Sequence, residues 1–217
     1  MQEKFYLGTK MKYTIIEDCS PFYIRFTHSG IDDFISYTKN LLGSTHNFPI
    51  WTHLNMSRSN LPNALSILEK TPLSEELSFQ KNRVSYFVSG PGFYYRAHKD
   101  GWPGHRYSIN YTVSVLDDKC ITNWYADEDL DKYQISSMGP FGGYAKSSRE
   151  CVGFDKKSHN PIKSMTAKQG ECILFNTDIF HDFDNSQSKN YRVVLTLRND
   201  PPENFYFEDA RKALFGY

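Results

Sequence analysis

YYRAHKDGWPGHRYSINYTV, residues 94–113, decides how the chain is read. Its two ends alternate aromatic or apolar residues with polar ones, the period of a strand that presents different faces. Its middle, KDGWPGH, is turn chemistry, because Gly101, Pro103 and Gly104 do not continue a ladder. A strand therefore runs into a turn and returns, with His98 and Asp100 at the end of its first arm. Residues two apart on a strand share a face, roughly 6.6 Å apart along the chain. An imidazole and a carboxylate so placed can converge on one ion. His105 lies five residues beyond Asp100 across the Pro-Gly turn, and reads as a turn histidine or a substrate contact rather than a ligand. Trp102, in the turn, reads as a wall of the substrate entrance.

Outward from this stretch the period of two persists. RVSYFVS, GFYYRAH, RYSINYTVSVL, GECILFN and YRVVLTLR are each bounded by Gly, Pro, Asn or Asp. Short strands with turn punctuation and no helices between them predict an antiparallel sandwich or barrel. The 15 tyrosines, 16 phenylalanines and 3 tryptophans suit such a core. Helical patterns flank it. In SGIDDFISYTKNLLG, Ser29 can cap, Asp32 and Asp33 suit the positive N-terminal dipole, and Ile31, Phe34, Ile35, Thr38, Leu41 and Leu42 recur at helical spacing up to Gly43. A second helix is predicted from Pro62 to about Lys70, and a third within PENFYFEDARKALF near the C-terminus. Residues 127–170 form a long polar segment with GPFGG and an Asn-Pro, a functional loop with a hairpin inside or a lid.

The length of 217 residues suits one domain, 1–217, that buries a core without disulfide or metal staples. Lysine plus arginine and aspartate plus glutamate are equal at 25 each, so no net field draws the chain to nucleic acid or anionic lipid. Cys19, Cys120, Cys151 and Cys172 show no CxxC spacing, and the N-terminal residues have neither the apolar run nor the cleavage site of a signal peptide. With no apolar run near the roughly 20 residues a bilayer demands, the expectation is a soluble, cytoplasmic protein with free thiols.

A third ligand for the His98–Asp100 pair must come from His28, His46, His53, His105, His159 or His181. His181 stands out, because it follows the buried-looking GECILFNTDIF and precedes a strand with an arginine. Two histidines and one carboxylate make a facial triad that leaves coordination positions open on Fe(II), which means catalysis rather than structure. The set resembles the Fe(II)- and 2-oxoglutarate-dependent oxygenases. HKD at 98–100 is similar to their H-x-D, His181 to their distal histidine, and Arg192, eleven residues further on, to the arginine that binds the far carboxylate of 2-oxoglutarate. Its planar fork suits a carboxylate as a lysine does not. The family often shows R-x-S, but Val194 stands at the serine position. Tyr95, Tyr107 and Asn110 are the candidates for the missing contact.

The resemblance implies a mainly β fold with flanking α, a double-stranded β-helix (jelly-roll, cupin-like) core over about 84–198, with N-terminal helices over about 22–72 packed on its major sheet. It implies Fe(II), 2-oxoglutarate as co-substrate and O2. It implies a dioxygenase that hydroxylates an unactivated C–H bond, and Asp100 argues against the halogenating branch, which lacks that carboxylate. INYTVSVLDDKCITNWY is loosely similar to the segment after H-x-D in amino-acid and in prolyl or aspartyl/asparaginyl hydroxylases, which leans to an amino acid or peptidyl residue as substrate. A nucleobase-directed oxygenase and a cupin-like metal-binding protein without oxygenase chemistry are the alternatives.

Overall fold

A computed structural model describes residues 12–43, 51–55, 61–80, 83–99, 106–126, 160–198 and 205–217. The strands are β1 (Tyr13–Cys19), β2 (Tyr23–His28), β3 (Trp51–Asn55), β4 (Ser85–Ser89), β5 (Phe93–His98), β6 (Tyr107–Ser114), β7 (Ile121–Trp124), β8 (Lys163–Thr166), β9 (Cys172–Asn176), β10 (His181–Asn185) and β11 (Arg192–Arg198). The helices are α1 (Ile31–Leu42), α2 (Leu61–Lys70) and α3 (Phe207–Phe215), with a 3₁₀ turn at Pro72–Glu75.

The strands form two antiparallel sheets, one in the order β1-β2-β9-β6-β11-β4-β3 and the other β5-β10-β7-β8. From β4 onward the chain passes between the sheets, which winds eight strands into a jelly roll, the double-stranded β-helix. All five strands read from the sequence are present. The period alone did not reveal β7, β8 or β10, which are short, and β10 carries acids at Asp182 and Asp184. The region read as helical support, about 22–72, also holds strands β2 and β3, which with β1 widen the major sheet on both sides. β8 pairs with β7 and so ends the long polar segment before residue 170; residues 127–159 lie outside the described ones.

Alternation along the central strands separates two interiors. Tyr107, Ile109, Tyr111 and Val113 of β6, with Val193, Leu195 and Leu197 of β11, join Phe34, Ile35, Ala64 and Ile67 of the helices in one core. The helices are thus laid on the outer face of the major sheet, α1 on β6 and α3 on β9. α1 starts otherwise than expected. Gly30, at φ 78°, occupies its N-cap and no side chain caps it, while the Ser29 carbonyl accepts from His28 Nδ1. The alternate residues point between the sheets, where Tyr23, Trp124, Met165, Ile173 and Phe175 cluster. Among the described residues no helix is long and apolar enough to cross a membrane.

At the end of the roll away from His181, Asn185 ties the turns together. Its buried amide donates to the carbonyls of Ser89, Gly90 and Asn190 at 3.2, 2.7 and 3.0 Å, and its oxygen accepts the Cys120 thiol at 2.6 Å. Asn185→Ala removes these donations and the thiol's acceptor, while Gly90 and Asn190 keep the Phe93 amide and the Ser188 hydroxyl as donors, and is expected to cost about 1–3 kcal/mol. Urea unfolding, read as a shift of midpoint at constant slope, measures it.

Candidate active site

β5 ends at His98 and β10 begins at His181, and the two residues face each other across the ladder. Their ring centroids are 4.5 Å apart. The register then slips: Phe183, two residues on from His181, pairs with Tyr95, three residues back from His98. That extra residue on β5 is a bulge, which returns a side chain at odd spacing to the same face. It brings the Tyr95 ring edge-on to His98 at 4.8 Å. Phe175 of β9 meets His181 in the same way at 4.7 Å, so aromatic edges hold both imidazoles.

His181 Nδ1 lies 2.8 Å from the Ile179 carbonyl oxygen. A carbonyl only accepts, so the proton sits on Nδ1 and the lone pair on Nε2, the form in which an imidazole binds a metal. The acids that flank His181 in sequence are engaged elsewhere. Asp178 pairs with Arg106 at 2.6 Å, and Asp184 accepts from the Ser186 amide. Asp182 is buried, accepting from Tyr125 Oη at 2.6 Å and from Asn123 Nδ2 at 2.8 Å; burial pushes its carboxyl above the ordinary range. This network pins β10 to β7 behind His181, and nothing in the period of the sequence announced it.

The third predicted ligand, Asp100, lies outside the described residues, as do Trp102 and His105. β5 stops at His98, and Lys99 places its Nζ 4.7 Å from the Phe180 ring centroid. Among the described residues no three His, Cys, Asp or Glu side chains converge on one point. The two histidines remain as a pair whose partner would come from beyond them.

One rung below the histidines, the guanidinium of Arg192 stacks on the Phe183 ring, 3.9 Å from its centroid. Arg192 is 4 % exposed, and its Nε and Nη1 find no hydrogen-bond partner among the described residues. Burial pushes its pKa down to about 10. A buried cation without a counter-charge is costly unless something anionic joins it. Arg198, at the half-buried far end of the same strand, is instead where the backbone carbonyl receives the Gln80 amide.

The other candidates divide by face. Tyr95 belongs to the histidine cluster. Asn110 faces between the sheets beside Thr196, its Oδ1 3.4 Å from Ser108 Oγ. Tyr107 is in the helix-facing core against Phe205, on the wrong side of the sheet for Arg192. Trp124 pairs with His181 in register and stacks on Tyr23 at 4.9 Å, which makes it a wall of the site as well as core. Phe183, the platform of Arg192, was missed; its position two beyond His181 was the available signal.

No protein-family model and no curated protein matches the chain. Solved structures do. EvdO2 from Micromonospora carbonacea var. aurantiaca, complexed with 2-oxoglutarate, aligns over 83% of this chain and 87% of its own at 12% identity, with a TM-score of 0.51. The two chains share a fold. HygX from Streptomyces hygroscopicus, with nickel and 2-oxoglutarate bound, aligns over 81% of each chain at 10% identity and a TM-score of 0.47. The epimerase SnoN from nogalamycin biosynthesis, α-ketoglutarate-dependent and non-heme, covers 85% of this chain and 80% of its own at 9% identity and a TM-score of 0.46. At these identities the likeness to EvdO2 speaks for the architecture, and the site must speak for the chemistry.

If the Arg192 charge is uncompensated, Arg192→Met should stabilise the ligand-free protein by about 1 kcal/mol or more. Equilibrium urea unfolding of the two proteins without added carboxylates checks this.

Proposed function

We propose that the protein is an Fe(II)- and 2-oxoglutarate-dependent dioxygenase that hydroxylates an unactivated C–H bond. The observation that carries the reading is the juxtaposition of two inward histidines, one with its tautomer set, and a buried arginine one rung below whose Nε and Nη1 have no partner among the described residues. His98, Asp100 and His181 would hold Fe(II), and Arg192 the far carboxylate of 2-oxoglutarate. When bound, the iron supplies activation of O2, coupled to conversion of 2-oxoglutarate into succinate and CO2 with oxidation of the substrate.

The chain's own residues supply position and dryness. Ile179, through its carbonyl, holds the proton on His181 Nδ1 and so the lone pair on Nε2. Tyr95 and Phe175 fix the ring planes and exclude water beside them. Phe183 flattens the guanidinium against its face, so that its N–H groups meet a carboxylate in a low-dielectric site where each bond is strong. A metal-binding protein without oxygenase activity would give no reason to bury Arg192 at this depth.

For the substrate, the amino acid or peptidyl residue implied by the β6–β7 segment is our working class; the neutral total charge disfavours nucleic acid. Substrate selection falls to the Gly-Trp-Pro-Gly sequence at 101–104 and to the 127–170 segment, of which 101–104 and 127–159 lie outside the described residues.

Anaerobic addition of Fe(II) and then 2-oxoglutarate to the wild type should give a weak visible metal-to-ligand charge-transfer band. Asp100→Ala and His181→Ala should abolish it, whereas Arg192→Ala should keep iron and need at least about tenfold more 2-oxoglutarate, the loss of a charge-assisted pair. His105→Ala should behave as wild type. No band in the wild type overturns the reading, and loss of iron in His105→Ala as complete as in His181→Ala overturns the ligand assignment.

A further inference from the structure

The proposed function leaves one gap. Where the oxygenases that this chain resembles often place a serine hydroxyl two residues after the arginine, this chain has Val194, and a carboxylate held by a guanidinium still has lone pairs that must be satisfied in a buried place. The neighbouring strand provides a hydroxyl at that level. On β11, Val194 pairs with Thr112 of β6, while Val193 pairs with Ser114, so a bulge at Val113 intervenes. Val113 and Val193 belong to the helix-facing core. Thr112 and Val194 therefore share the face between the sheets with Arg192.

Thr112 is 0 % exposed. Its amide donates to the Glu171 carbonyl at 3.0 Å, and its carbonyl accepts from the Gly170 amide at 3.1 Å. Only the side-chain hydroxyl is left over, and Oγ1 has no hydrogen-bond partner among the described residues. A fully buried hydroxyl without a partner is a rare and destabilising arrangement unless something polar reaches it. Valine has the same shape and would avoid the cost. The other candidates fit this place less well. Asn110 is one rung nearer Arg198, its Oδ1 in reach of Ser108 Oγ, and Tyr107 faces the helices. Trp124 Nε1 is also buried without a partner among the described residues, but it stands at the level of His181.

We propose that the Thr112 hydroxyl is the second contact to the far carboxylate of 2-oxoglutarate, donating to the oxygen that Arg192 leaves and replacing the hydroxyl absent at Val194. The proposal rests on the oxygenase reading above. It makes Thr112 a binding residue and predicts that the ligand-free protein tolerates its loss.

The test uses the full chain loaded with Ni(II), and calorimetric binding of two 2-oxo acids of equal length: 2-oxoglutarate, and 2-oxopentanoate, which lacks the far carboxylate. Thr112→Val should weaken 2-oxoglutarate about tenfold or more, as expected for a hydrogen bond to a charged group, and leave 2-oxopentanoate unchanged. Thr112→Ser should retain wild-type affinity, and ligand-free Thr112→Val should melt at or above the wild-type temperature. The proposal is overturned if Thr112→Val binds 2-oxoglutarate like wild type, if it loses both acids equally, or if the ligand-free variant melts lower. If wild type binds no 2-oxoglutarate at all, the oxygenase reading itself falls. If wild type binds, Arg192→Met does not, and Thr112→Val is unaffected, the role of Thr112 alone is refuted.

Discussion

The pairing of β10 with β5 is the constraint on which the site depends. β10 lies between β5 and β7 in the minor sheet, and its first residue is His181. A slip of one residue would turn His181 and Phe183 to the opposite face and bring Asp182 and Asp184 inward. Two features oppose that slip. Asp182 is locked to β7 by Asn123 and Tyr125, and Asn185 anchors the other end of the strand to two turns. With β10 fixed, the bulge in β5 sets Tyr95 against His98, and Phe183 becomes the platform on which Arg192 rests.

Much of the interior is stable for ordinary reasons: alternate apolar residues of β6, β9 and β11 close one core against the helices. The space between the sheets is different. There two nitrogens of a buried guanidinium and a buried hydroxyl find no partner among the described residues, beside two imidazoles in contact. A fold selected for stability alone would place Met or Val at such positions. Polar groups that cost the empty protein something are the mark of a site shaped for a polar ligand.

The fold was legible in the sequence wherever alternation was strong, as in RYSINYTV and GECILFN. His181 and Arg192 were picked out through the resemblance to the oxygenases, and both face the same interior. What the sequence withheld depended on register and on pairing between distant strands. The bulge that puts Tyr95 and His98 on one face at odd spacing defies simple periodicity. The removal of Tyr107 from the candidate set, and the entry of Thr112, follow from which face of β6 the helices cover. Acids lie close to His181 in sequence, yet it is a carbonyl two residues away that holds its Nδ1. The strands before α1 escaped notice, since YTIIEDC mixes charge into an edge strand that needs only one buried side.

The most direct test of the central claim is succinate formation. Purified wild-type protein, Fe(II) and 2-oxoglutarate under air should yield succinate, even without the true substrate, at a slow rate that disappears in His181→Ala and under nitrogen. Wild-type protein that holds iron and binds 2-oxoglutarate but forms no succinate, with or without a panel of amino acids and peptides, would contradict the account.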